Sequence, residues 1–152
     1  MFAPSTERGA DMSGTSGKWL VKSEPVKYSW DDLVRDGETA WDGVRNNQAA
    51  LYLKAMKVGD DLLYYHSNEG LAVVGVAKVS REAFPDTTDP AGRFVAVSVK
   101  PDRKLANPVT LARMKAEPAL AGMAMFRQFR LSVVPLTDDE FATILKMSES
   151  AG

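Results

Sequence analysis

Asp61-Leu62-Leu63-Tyr64-Tyr65-His66-Ser67-Asn68-Glu69-Gly70-Leu71-Ala72-Val73-Val74-Gly75-Val76-Ala77-Lys78-Val79 is the stretch that decides the fold. Asp61 to Ser67 is aromatic and apolar, Ser67 to Gly70 is turn chemistry, and Leu71 to Val79 is β-branched, so the segment reads as a hairpin. Gly75, inside the second arm, marks a bulge or the close approach of another group. Downstream, Phe84-Pro85 through Ala91-Gly92 reads as a loop, and Arg93 to Val99 alternates as a third strand. Two short helical pieces are expected at Thr110 to Ala116 and Pro118 to Ala121. Leu131 to Val134 reads as a strand stopped by Pro135. Thr137-Asp138-Asp139-Glu140 is a capping box that opens a last helix through Met147, with Phe141, Ile144 and Leu145 as its apolar stripe.

Upstream of the hairpin, Lys18 to Lys22 is β-prone and ends at Ser23-Glu24-Pro25. Ser29 caps a helix over Trp30 to Asp36, which Gly37 ends. An extended segment leads through Trp41, and Arg45 to Met56 reads as helical, with Val58-Gly59-Asp60 as its stop. Regular strand–helix alternation is missing, which argues against a doubly wound sheet. The fold class is α+β: a curled, mostly antiparallel sheet with short helices around it.

The chain has 152 residues, 45% of them hydrophobic, which suits a single domain with one sizeable core. Residues 1–17 are rich in Gly, Ser and Thr and read as a disordered leader, leaving 18–148 as the folded domain. No run of about 18 apolar residues offers a membrane span. Cysteine is absent, which excludes disulfides and thiolate catalysis and fits a reducing, cytoplasmic setting. The formal charge is -1, yet the stretch 100–130 is strongly basic, with Lys100, Arg103, Lys104, Arg113, Lys115, Arg127 and Arg130 against Asp102 and Glu117. Such a patch permits phosphate contact on a near-neutral protein, although a solvated face with ordinary ion pairs has the same composition. Lys100, Arg103, Lys104, Arg127 and Arg130 are the candidate phosphate contacts.

Several chemistries lack their signatures. No phosphate-cradling glycine loop is present. One histidine and no cysteine leave little for a metal site, and no cofactor is expected. Ser23, Asp42 and His66 each fall near a strand end and could form a hydrolytic trio if His66 took the proton of Ser23. There is no GxSxG elbow, and a lone histidine on a sheet is more commonly a hydrogen-bonded structural residue. What stands out instead is polar groups set between aromatics: Lys22-Ser23, then Trp41 to Asn46, then His66-Ser67. A pocket for an extruded base needs a flat aromatic wall and hydrogen-bond partners for the base edge. Trp19, Trp30 and Trp41 can each serve as such a wall or as core.

Four blocks together carry a resemblance. Trp19-Leu20-Val21-Lys22-Ser23-Glu24-Pro25, Trp41-Asp42-Gly43-Val44-Arg45-Asn46, Tyr64-Tyr65-His66-Ser67 and Arg130-Leu131-Ser132-Val133 resemble the EVE domain family, from about Lys18 to Met147. The resemblance implies a PUA-like fold, a β-barrel-like sheet flanked by helices and related to the YTH readers of methylated adenine. It also implies a non-catalytic reader of modified bases, modified cytosine in DNA being favoured over RNA, with the base flipped into an aromatic pocket. By resemblance the pocket draws on Lys22, Ser23, Trp41, Val44, Arg45, Asn46, His66 and Ser67, with Trp41 as stacking wall. The partner is then nucleic acid, with no membrane and no obligate protein partner. Asn47, Ala50 and Phe129 stand where the pattern favours tyrosine, a basic residue and glycine. A hydrolase or nucleotide-modifying enzyme using Ser23 and His66, and a sensor of free nucleotides, are the competing readings.

Overall fold

The hairpin forms as its chemistry dictates. β3 (Asp61–His66) runs antiparallel to β4 (Ala72–Pro85), and the turn between them holds Asn68 at φ 70° and Gly70 at φ 77°. This computed structural model describes residues 17–150, so the leader expectation lies outside the described residues except at Gly17. Around the hairpin, β1 (Lys18–Ser23), β2 (Thr39–Trp41), β5 (Val95–Thr110) and β6 (Val133–Leu136) complete an open six-stranded sheet of order β2-β5-β4-β3-β1-β6. All neighbours are antiparallel except β1 and β3, which run parallel from Lys18↔Asp61 to Ser23↔His66. The sheet is therefore mixed at its centre. The chain between these two strands carries α1 (Trp30–Asp36), β2 and α2 (Asn47–Ala55), long enough for the crossover that a parallel pair requires.

Helix ends follow their caps. The Ser29 hydroxyl accepts from the Asp32 amide, and Gly37 closes α1 at φ 78°. Asn46 caps α2, which starts at Asn47 and not at Arg45 because the Asn46 side chain takes the Ala49 amide from outside the helix. Thr110 caps α3 (Leu111–Ala116), a 3-10 turn follows at Pro118–Leu120, and a short α4 (Ala124–Arg127) has no counterpart in the sequence reading. Thr137 and Glu140 form the capping box of α5 (Asp138–Met147).

Strand lengths differ from the expectation, and bulges explain why. β4 continues past Val79 to Pro85, so Phe84 and Pro85 belong to a strand, and β5 continues past Val99 to Thr110. Val76 pairs with Arg103 and Ala77 with Pro101, leaving Asp102 as the extra residue; a bulge there accommodates a proline that cannot donate. Pro135 does not stop β6 but sits inside it opposite Trp19, tolerated because β6 is an edge strand.

Side chains alternate across the sheet and build two cores. Leu20, Leu63, Val76 and Val134 face Met114, Leu120, Phe141 and Ile144 on one side. Trp19, Trp30, Leu62, Tyr64 and Val97 face Leu33, Ala49 and Leu53 on the other. Trp19 and Trp30 are core residues: the Trp19 indole donates to Asp60 Oδ2 at 3.0 Å, and Trp30 is 3% exposed.

Candidate functional site

The principal cavity opens where β1 and β3 end together. Because the two strands are parallel and in register, Lys22 and Ser23 reach the same edge as Ser67, and the Ser67 amide donates to the Ser23 carbonyl at 2.9 Å. Trp41, at the end of β2, and the following loop to Asn46 form a second side. Phe129, Arg130, Leu131 and Ser132 close the third. The open cleft they line holds about 700 Å³, ample for a nucleobase and its sugar.

Trp41 is 9% exposed and meets Tyr64 edge-on at 5.5 Å between ring centroids. Tyr64 holds Trp30 in the same way at 5.5 Å and touches the His66 ring at 5.9 Å, so one phenol braces three rings. Its hydroxyl donates to the Tyr28 carbonyl at 2.9 Å, and burial pushes its pKa well above the ordinary value.

The Gly43–Asn46 loop is held from behind by Asp86, a residue the sequence reading left in an anonymous loop. Asp86 accepts from the Gly43 amide at 2.8 Å, Arg45 Nη1 at 3.0 Å and the Thr88 amide at 2.7 Å, and also from the Thr88 hydroxyl. Burial by itself would raise its pKa. The hydrogen bonds from Thr88, Gly43 and Arg45 together outweigh that and hold the carboxyl well below the usual range. Arg45 is thus a rim residue turned towards Asp86, with Nη2 on the Thr88 hydroxyl at 3.0 Å and its guanidinium over the Phe94 ring.

Of the residues singled out from sequence, Lys22, Ser23, Trp41, Val44, Arg45, Asn46 and Ser67 line the cavity, and so does Arg130. Lys22 Nζ donates to the Phe129 carbonyl at 2.7 Å, and burial lowers its pKa. Asn46 Oδ1 is used as the helix cap, accepting from Ala49 at 3.0 Å. His66 does not line the cavity. Its Nε2 accepts the Trp30 amide at 3.0 Å, so it satisfies the first N–H of α1, and burial lowers its pKa despite the opposing pull of Asp31. Ser23 Oγ donates to the Tyr28 carbonyl at 2.6 Å. Both ends of the imagined Ser23–His66 proton transfer are therefore engaged with backbone. Arg127 borders an adjoining hollow with Gln48, while Lys100, Arg103 and Lys104 lie on β5 and line neither space. Among the described residues no cluster of His, Asp or Glu is placed to hold a metal ion, and no helix is long and apolar enough to cross a membrane.

The EVE domain family model matches residues 18–147. The chain belongs to the EVE domain family. It is 35% identical to human thymocyte nuclear protein 1 over 172 residues, covering 91% of this chain and 76% of that protein. Among solved structures, this EVE domain is similar to a protein of Rhodopseudomonas palustris determined by NMR, at 52% identity and a TM-score of 0.83, covering 87% and 92% of the two chains. It is also similar to the human THYN1 protein crystallised in complex with 5-methylcytosine containing DNA. That match has 34% identity and a TM-score of 0.84, and covers 89% and 99% of the two chains. The mixed, open sheet with short helices is the architecture of these relatives.

Proposed function

We propose that this EVE domain is a non-catalytic reader of modified bases in nucleic acid, with modified cytosine in DNA favoured, and that it holds the flipped base in the cavity beside Trp41. The observation that carries the reading is the cavity itself. An indole wall and the polar edges of Ser23, Asn46 and Ser67 line an open cleft of about 700 Å³, with Lys22, Arg45 and Arg130 around it. The similar human structure holding methylated DNA gives the same reading independent support.

Recognition then divides by chemistry. Trp41 stacks on the base, which is worth about 1–3 kcal/mol by itself. Asn46 has its oxygen spent on the α2 cap, so its amide nitrogen is the group offered to a base acceptor. Lys22 keeps donors beyond the one given to Phe129 and faces a flanking phosphate. The absence of catalysis is supported by Ser23 Oγ and His66 Nε2, each of which already serves a backbone partner.

The test is binding of short DNA and RNA oligonucleotides carrying cytosine, 5-methylcytosine or 5-hydroxymethylcytosine, at two salt concentrations. Preference for a modified base supports the reading. Equal affinity for every base in both polymers, with steep loss in salt, reduces the protein to a phosphate binder and overturns it. Free modified nucleosides binding as tightly as oligonucleotides would convert it into a nucleotide sensor. Within the same assay Trp41→Ala lowers selectivity more than Lys104→Ala does, because only Trp41 borders the cavity.

A further inference from the structure

Phe129 is the one aromatic among the large hydrophobic side chains left exposed in the described residues, with 71% of its surface open. A scattered exposed apolar side chain is ordinary, but the backbone under this one is fixed from three directions. The Gln128 amide donates to the Ala124 carbonyl at 2.8 Å and the Leu131 amide to the Gln128 carbonyl at 3.0 Å. Lys22 Nζ takes the carbonyl of Phe129 itself at 2.7 Å. Leu131, buried at 7% exposure, anchors the next step of the chain. The ring stands outward from a backbone tied down at these points.

Its place is the ridge between three concavities. Phe129 lines the main cavity and also two neighbouring hollows of about 340 and 330 Å³. Arg127 and Arg130 flank it in sequence, both exposed, and neither has a carboxylate partner among the described residues. An apolar plate set between two free cations at the mouth of a base-sized cavity matches one feature of a duplex. Extruding a base leaves a gap in the stack, and an apolar wedge between two phosphates fills it and opposes the base's return.

Resting on the base-reading function above, we propose that Phe129 enters the duplex at the position vacated by the flipped base, while Arg127 and Arg130 hold phosphates on either side of it. The partner chemistry is thereby double-stranded nucleic acid; a single strand has no opposite strand to hold the vacated gap open for the ring.

The experiment measures affinity of the full chain and its Phe129→Ala and Phe129→Leu variants for a duplex with one 5-methylcytosine and for the same strand alone. The side chain is exposed, so both variants are expected to fold as the parent does, and unchanged thermal unfolding checks this. Phe129→Ala loses about tenfold or more in duplex affinity, as loss of a stacking contact predicts. Its loss on the single strand is several-fold smaller, limited to what the ring contributes as part of the cavity wall, and Phe129→Leu restores much of the duplex affinity. Equal losses on duplex and single strand, or none on either, overturn the wedge. Plain and 5-hydroxymethylcytosine duplexes are measured beside it, and a parent that prefers neither modified duplex over the plain one refutes base reading on a duplex and the wedge with it. A parent that does distinguish them, beside a silent Phe129→Ala, refutes the wedge alone.

Discussion

Asp86 shows how a single buried carboxylate sets the shape of a binding loop. Replacing it with asparagine keeps the outline but removes the charge that gathers the Gly43 amide, the Arg45 guanidinium and Thr88. Asp86→Asn is expected to cost about 2 kcal/mol at pH 7, the scale of hydrogen bonds to a charged group, measured by denaturant unfolding. Its folded pKa lies below the ordinary 3.8, so its contribution is fully present above that value and fades as pH falls through the lowered one. The gap between parent and variant therefore narrows only below about pH 4; a gap already closed at pH 6 would contradict the assignment. At this scale the sequence was informative about which residues gather at the cavity and silent about their duties. Lys22, Trp41 and Ser67 could be placed from motif blocks. The diversion of His66 to the α1 amide depends on the register of β3 against β1, which no local pattern records.

Among the elements, β4 carries the sharpest packing constraint. A Cβ built on Gly75 would lie 2.6 Å from the Trp30 ring, and Trp30 is wedged against Tyr64 with nowhere to retreat. Gly75→Ala is expected to destabilise by about 1–3 kcal/mol through overpacking. A thermal melt reads this directly, and Gly122→Ala, where nothing lies within 4 Å, is the neutral comparison. Both meanings of that glycine, bulge and close approach, were legible in advance, and both hold: the register shifts between Val73 and Gly75, and the indole sits on its face. The caps of α1 and α5 were equally legible, because Ser and Thr act within three residues, whereas Thr110 was read as part of its helix and is the cap outside it. The extents of β4 and β5 were not. Their continuation through exposed Arg81–Ala83 and through Pro101 and Pro108 rests on pairing between distant residues, with bulges absorbing the mismatches.

For the whole molecule, the mixed sheet separates two cores and leaves the cavity at one end of its parallel pair. The basic stretch between Lys100 and Arg130 reads as one patch in sequence and becomes two places in space. Arg127 and Arg130 stand at or beside the cavity, while Arg103 and Lys104 pair with β4 opposite Val76 and Gly75. Nucleic-acid affinity measured against salt should separate them. Neutralising Arg130 is expected to reduce the log–log slope by about 1, the value for one phosphate contact. Neutralising Arg103 and Lys104 together leaves the slope unchanged, and a larger drop there would move the polymer's path onto the β4–β5 ribbon.

The tie between Lys22 and the Phe129 carbonyl has a consequence for reactivity. An ammonium lowered in pKa by burial releases its proton at milder alkalinity than a surface lysine, and the free amine is a nucleophile. At pH 8 an acylating reagent should modify Lys22 ahead of solvent-exposed lysines away from the cavity such as Lys54, as peptide mass mapping would read. Occupation of the cavity should then mask Lys22, together with Lys27 at its rim, and leave Lys100 open, which makes the fast-reacting lysine a native footprint of whatever the protein holds.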